Sequence, residues 1–375
     1  MGLPASFADF VGNRVAVDHL RAGIAAGRLP HSLILAGHRG SGKYTLALML
    51  TMALECLRQP RDVVDGRELA AFCGVCRNCT QIAESADLQT KVNEAVAARE
   101  EMRETDKKDT RVLVQTHPDV LIVPPDPPQL LVKLGQVRTM IQRAQRHPAE
   151  APRKVFIVTS AAFMKEAANS LLKLLEEPPE YVNLILLAEN TGELLPTIRS
   201  RCGVTRLGAL PAEEIEALLA QARPEWTAKQ RALIARLSEG AAGRALGYDL
   251  AESVASRTDA LVLLRNAAGT GDHTSLFKMT ESYRAGAEGQ MKTTALLRSM
   301  GSVLEDMLLL QGGAGDRVRN VDILPELRGL AESFDFAWIE RAVRGLDQVQ
   351  TGLRRNLLRG LSLDAFAAGM ESSGR

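Results

Sequence analysis

Apolar and polar residues alternate at helical spacing over 11–27, and Gly27-Arg28-Leu29-Pro30 closes that run. The apolar tetrad Leu33-Ile34-Leu35-Ala36 then reads as a buried strand, followed over 45–57 by an Ala/Leu/Met-rich helix. Val120-Leu121-Ile122-Val123 predicts a short strand, stopped by Pro124-Pro125-Asp126-Pro127-Pro128. A helix over 134–146, a strand over 154–158, a helix over 162–175 and a strand over 184–188 complete the pattern. Strands separated by helices predict an α/β fold, a parallel sheet with helices on both faces. Beyond about residue 207 the strand signals disappear and Leu/Ala/Arg-rich helices continue to the end, with apolar residues at helical spacing over 339–346 and 353–363. Glycine-rich runs at 240–247, 269–271 and 312–315 mark joints between helical units. No internal repeat is visible.

The loop after the first strand carries chemistry. Gly37-His38-Arg39-Gly40-Ser41-Gly42-Lys43 has the spacing G-x-x-x-x-G-K, between a strand and a helix, where backbone N–H groups, the helix N-terminus and a lysine cradle phosphate oxygens. The next position normally supplies a hydroxyl to Mg²⁺; here it is Tyr44, and Thr45 stands one residue late, about a hundred degrees around a helix. A magnesium site also needs a carboxylate at the end of another apolar strand. Lys154-Val155-Phe156-Ile157-Val158 runs into Thr159-Ser160-Ala161-Ala162, without one. Two losses in one site count against ATP·Mg²⁺ hydrolysis, and leave Gly37, Gly40, Gly42, Lys43, Tyr44 and Thr45 as a degenerate cofactor-binding loop.

At 375 residues the chain exceeds one domain's usual size. Its 46% apolar and 24% charged content is that of an ordinary globular protein, and a net charge of +1 gives no bulk reason to bind nucleic acid. No apolar stretch is long enough to span a bilayer and no secretory pattern opens the chain, so a cytoplasmic protein without a membrane partner is expected. In that compartment the five cysteines are thiols or metal ligands rather than disulfides. Cys73-Gly74-Val75-Cys76-Arg77-Asn78-Cys79 sets three thiols at two-residue spacing, with Cys56 sixteen intervening residues upstream. Four thiolates suit structural Zn²⁺ and leave no open position for catalysis; the alternative is a set of unligated buried thiols. The mixed charges of 87–111 read as a solvated helix or mobile insertion.

Several segments together resemble one family: the phosphate loop, the cysteine triplet, His117-Pro118-Asp119, the run Ala167-Ala168-Asn169-Ser170-Leu171-Leu172-Lys173-Leu174-Leu175-Glu176-Glu177-Pro178-Pro179, and Leu194-Leu195-Pro196-Thr197-Ile198-Arg199-Ser200-Arg201-Cys202. They resemble subunits of the bacterial sliding-clamp loader, an AAA+ assembly of DNA polymerase III, and within it the delta-prime type. The resemblance is dense over 7–207 and thin beyond. It implies a non-hydrolysing stator in which Arg201 of the S-R-C motif enters a neighbour's ATP site as an arginine finger. It further implies delta and gamma/tau subunits as partners, with the sliding clamp and primer-template DNA reached through the assembly. Asn190 and Gly243-Arg244 fall where the family has its first and second nucleotide sensors. The implied architecture is an AAA+ domain over 1–207 with a zinc module at about 56–80, a small helical lid over 208–252, and a helical collar over 253–375. Two other readings compete: an active gamma/tau-like ATPase in which Thr45 and a distant carboxylate replace the lost groups, and a zinc-dependent nucleic-acid-binding module on an inert scaffold.

Overall fold

The computed structural model describes residues 2–103, 107, 110–127, 129–283, 286–354 and 358–372. The chain divides into two units, one of residues 1–222 with 239–246, the other of residues 223–238 with 247–375.

The first unit is built on a six-stranded sheet. Its strands are β1 (Ser32–Ala36), β4 (Val114–His117), β5 (Val120–Val123), β6 (Lys154–Val158), β7 (Val182–Ala188) and β8 (Gly203–Arg206), in spatial order β4-β5-β6-β7-β1-β8. All neighbours are parallel except β4, which runs antiparallel to β5 at the edge. Every residue of β1, β5, β6 and β7 is buried, the mark of parallel strands covered on both faces. The two-residue period of a strand divides these side chains between two cores. Leu33, Leu35, Val155, Ile157, Ile185 and Leu187 meet helices α1 (Arg14–Ala25) and α2 (Lys43–Glu55). Ile34, Phe156, Val158, Leu184 and Leu186 meet α5 (Leu134–Ala144) and α6 (Lys165–Glu176).

Between α2 and β4 lie a two-stranded hairpin, β2 (Arg61–Val64) with β3 (Arg67–Ala70), and two helices, α3 (Arg77–Ala83) and α4 (Leu88–Glu100). The turn Asp65-Gly66 has positive φ at both residues, 47° and 74°, as a two-residue hairpin loop requires. Arg21 of α1, almost fully buried beneath the Phe7 ring, ties this hairpin down by donating to the Ala70 carbonyl and pairing with Asp62. The charged segment forms a helix with no buried residue, as expected of a solvated face. It is nevertheless anchored: Arg99 donates to the buried Asp126 carboxylate at 2.6 Å. Positions 104–106, 108 and 109 of that segment lie outside the described residues, as do 355–357 of the C-terminal basic run.

The second unit is helical. Leu250–Ala267, Gly286–Gln311, Phe336–Arg354 and Arg359–Ser372 enclose a core that includes Leu263, Leu264, Leu304, Ile339 and Phe366. A buried polar knot pins the 318–323 segment: Asp306 accepts from the N–H groups of Arg319 and Asn320 at 2.9 Å, and Arg257 pairs with Asp322. Among the described residues no helix is long and apolar enough to cross a membrane.

Candidate nucleotide-loop and arginine site

The sheet order places the phosphate-type loop beside the end of β7. Ala36 and Ala188 are register partners, and the Gly37 N–H donates to the Ala188 carbonyl at 3.1 Å. The crevice beyond the carboxyl ends of parallel strands is where such folds hold ligands. Within the loop Gly40 and Gly42 both have φ of +85°, and a Cβ on Gly40 would stand 2.9 Å from the Arg244 nitrogen. Gly243 donates its N–H to the Gly40 carbonyl at 2.8 Å, so the segment expected to sense nucleotide is bonded to the loop itself. Arg244 is held by Glu239 at 2.5 Å.

The lysine and its neighbour are engaged locally. Lys43 Nζ donates to the carbonyls of Gly37 and, at 2.9 Å, His38. Burial lowers its pKa, opposed by the carboxylates of Glu189 and Glu193. Burial, with the Arg244 and Lys43 cations, also lowers the pKa of His38, favouring the neutral ring. The Nε2 of His38 and the Oγ of Ser41 are enclosed without a hydrogen-bond partner among the described residues.

Tyr44, standing where a magnesium hydroxyl ligand belongs, packs its ring on the core and donates its hydroxyl to the Ser85 carbonyl at 2.6 Å. Ser85 in turn shares a 2.7 Å hydrogen bond with Thr116. Burial, reinforced by Asp87, pushes the Tyr44 phenol pKa up, so it stays a donor. Thr45 is half-buried on the first turn of α2. At the end of β6, Thr159 donates its N–H to the Val123 carbonyl and the Ser160 hydroxyl accepts from Ala162; no acid stands there. Asn190 spends its side chain on its own turn, accepting from Gly192 at 2.9 Å. Sequence reasoning missed Glu189, the acid at the end of β7. An apolar strand followed by an acid is a readable signal, and β7 carries it.

The Sγ atoms of Cys56, Cys73, Cys76 and Cys79 all lie within 4.8 Å of one another, and Cys202 stands apart from this group. Cys56 follows directly from α2, the helix launched by the loop, so the distant fourth thiol is delivered by that helix. The Cys73 N–H points at the Cys56 sulfur at 3.4 Å and the Cys76 N–H at the Cys73 sulfur at 3.3 Å. At Cys73 burial opposes ionisation, yet the Val75 and Cys76 N–H groups and the Cys56 and Cys76 thiols bring the thiol down to about 6. Four clustered sulfurs at this spacing fit tetrahedral Zn²⁺, whose ~2.3 Å bonds set sulfurs about 3.8 Å apart.

Arg201 lies just beyond the short helix Pro196–Arg199, which Leu194 and Ile198 root in the core. Its guanidinium donates to the Thr197 carbonyl at 2.9 Å and pairs with Glu176, the last residue of α6, at 2.6 Å. His117 and Asp119 are buried and structural: the Asp119 carboxylate accepts N–H groups from Ala149, Glu150 and Ala151 at 2.8, 2.8 and 3.1 Å.

The family model described as "DNA polymerase III, delta subunit" matches residues 12–211. Over 350 residues the chain is 27% identical to the DNA polymerase III subunit delta' of Escherichia coli, covering 91% of this chain and 90% of that protein. Over 219 residues it is 32% identical to the DNA polymerase III subunit gamma/tau of Mycobacterium tuberculosis, covering 58% of this chain. That match spans only 31% of the gamma/tau length. A solved DNA polymerase III gamma subunit-related protein from Thermotoga maritima aligns over 96% of this chain and 100% of its own, at 18% identity and a TM-score of 0.45. The match over more than half its length means that the chain belongs to the DNA polymerase III delta-subunit family of clamp-loader proteins.

Proposed function

We propose that this chain is a non-hydrolysing stator of a DNA polymerase III clamp loader and donates Arg201 to the ATP site of a neighbouring subunit. The observation that carries the reading is the occupied magnesium position. Tyr44, at the hydroxyl-ligand position, is bonded to Ser85, and β6 ends without a carboxylate. A nucleotide in this loop would lack the groups that hold Mg²⁺ between its phosphates. Arg201, by contrast, is partly exposed and stands beside a helix whose Ile198 is buried in the core. A guanidinium there can neutralise charge developing on a phosphoryl group supplied by another chain. In this reading the partners are delta and gamma/tau subunits, and the sliding clamp and primed DNA are reached through the assembly. Residues 208–252 act as a lid and 253–375 as a collar joining the subunits. Zn²⁺ on Cys56, Cys73, Cys76 and Cys79 would have a structural role, cross-linking the end of α2 to the 73–79 turn.

The position of Glu189 favours one second reading, an active ATPase in which an acid displaced from β6 to β7 serves the metal. Clamp- and DNA-stimulated ATP hydrolysis by the reconstituted loader separates the two. The stator reading expects Arg201→Ala to reduce turnover about a thousandfold or more, the range known for arginine fingers, with the assembly intact. Lys43→Ala in this chain should leave turnover unchanged. The reverse pattern would establish the ATPase.

A further inference from the structure

The helix α6 ends in an arrangement that helix physics alone does not favour. Glu176 puts a carboxylate at its C-terminus, the negative end of the dipole, with a second acid, Glu177, directly after it. Pro178 and Pro179 fix where the helix stops, because a residue preceding proline is driven out of the α region; Glu177 has φ −131° and ψ 65°. Glu176 is therefore held at one place on the surface. Leu171, Leu174 and Leu175 root its helix in the same core as Leu194 and Ile198, which root the segment bearing Arg201. Two rigid elements thus bring a carboxylate and a guanidinium together at 2.6 Å. The other terminal nitrogen, Nη1, is held by the Thr197 carbonyl at 2.9 Å and the Ser200 hydroxyl at 3.3 Å.

We infer that Glu176 is a positioning residue for Arg201: it orients the guanidinium before a neighbouring subunit arrives, so that the finger enters the ATP site without a search through its rotamers. This inference rests on the finger reading of Arg201 and deepens it. An arginine side chain loses much conformational freedom when immobilised, and three anchors settle that loss in the free subunit. The pair is half-exposed, so water screens its mutual charge and orientation outweighs neutralisation. The same contact gives the two motifs a joint purpose: one supplies the finger, the other its rest.

The test uses the reconstituted loader, with kcat and KM for ATP measured for wild type, Arg201→Ala, Glu176→Ala, Glu176→Asp and the Glu176→Ala/Arg201→Ala double variant. Glu176→Ala should lower kcat about tenfold, less than the roughly hundredfold loss that a misplaced group can cause, while KM for ATP stays within about twofold. Glu176→Asp should recover part of that loss, and the double variant should match Arg201→Ala alone, because Glu176 acts only through Arg201. In the isolated chain, nitrogen NMR of the Arg201 guanidinium should show faster rotation about Nε–Cζ in Glu176→Gln than in wild type. Wild-type kcat in Glu176→Ala beside a depressed Arg201→Ala would overturn the inference and spare the finger. So would a double variant slower than Arg201→Ala, or unchanged guanidinium rotation. Wild-type turnover in Arg201→Ala would remove both.

Discussion

Tyr44 is expected to serve the fold at the position where a relative with an intact magnesium site would serve chemistry, and replacing it tests both halves of that statement. Its hydroxyl meets the Ser85 carbonyl at 2.6 Å beside a serine that is 1% exposed, so Tyr44→Phe leaves a buried acceptor without its donor. Losing a hydrogen bond and stranding its partner costs about 1–2 kcal/mol. Tyr44→Ser restores the G-K-S spacing but also removes a ring packed on the α2 face of the sheet; with that void the loss should reach about 3–5 kcal/mol. Both tryptophans, Trp226 and Trp338, lie in the helical unit, so their fluorescence does not report directly on the surroundings of Tyr44. Native-state amide exchange in β1 and α2 does, because those amides open with the α/β unit. ATP turnover by the serine variant should stay absent, since the acid missing from β6 is still missing. A loss below about 0.5 kcal/mol in Tyr44→Phe would refute the strut. Magnesium-dependent turnover in Tyr44→Ser would refute the claim that the second half of the site is gone.

Asp119→Ala strands three N–H donors of the 149–151 segment and should cost about 3–5 kcal/mol by amide exchange, with Asp119→Asn losing less. Glu55 is fully enclosed beside Cys56, and burial, reinforced by Asp119, pushes its carboxyl up to about 9. Such a group binds its proton when folded and releases it when unfolded. Its contribution is therefore complete below about pH 4.5 and falls by up to about 1.4 kcal/mol per pH unit until pH passes about 9. Glu55→Gln should accordingly flatten the decline of stability between pH 6 and 9 in denaturation series. Cys73→Ser should abolish stoichiometric zinc, measured by elemental analysis, and speed amide exchange across 61–83 while leaving tryptophan emission unchanged.

What was legible in the sequence was what short-range pattern determines. Strands β1, β5, β6 and β7 carry continuous apolar runs, with Ser32, Lys154 and Asn183 only at or near their starts, because both their faces are covered. The loop glycines were legible because left-handed backbone leaves few other residues. The hairpin of β2 and β3 went unread although Asp65-Gly66 signals it, because β2 is exposed along its whole length and lacks alternation. Edge strands β4 and β8 are short and partly polar, so their pairing comes from the sheet rather than from their own residues.

The candidate site was legible as a set of residues but not as an arrangement. Tyr44 and Thr45 could be judged against a magnesium motif from spacing alone. That Tyr44 reaches Ser85, or that Lys43 turns back onto its own loop, depends on where other segments close around them. Glu176 and Arg201 were each visible in their motifs, but their pairing depends on how the fold brings two segments together. An idle surface contact and a held finger differ in what stands behind the 2.6 Å ion pair. What distinguishes them is rigidity. An idle pair on mobile side chains has nothing to position, whereas these two charges stand on elements sharing one core, with prolines fixing the end of one and the start of the other. A finger must be placed to within a fraction of an ångström of a phosphoryl group to stabilise its charge, and the role proposed for Arg201 depends on its shared rooting with Glu176 keeping that placement.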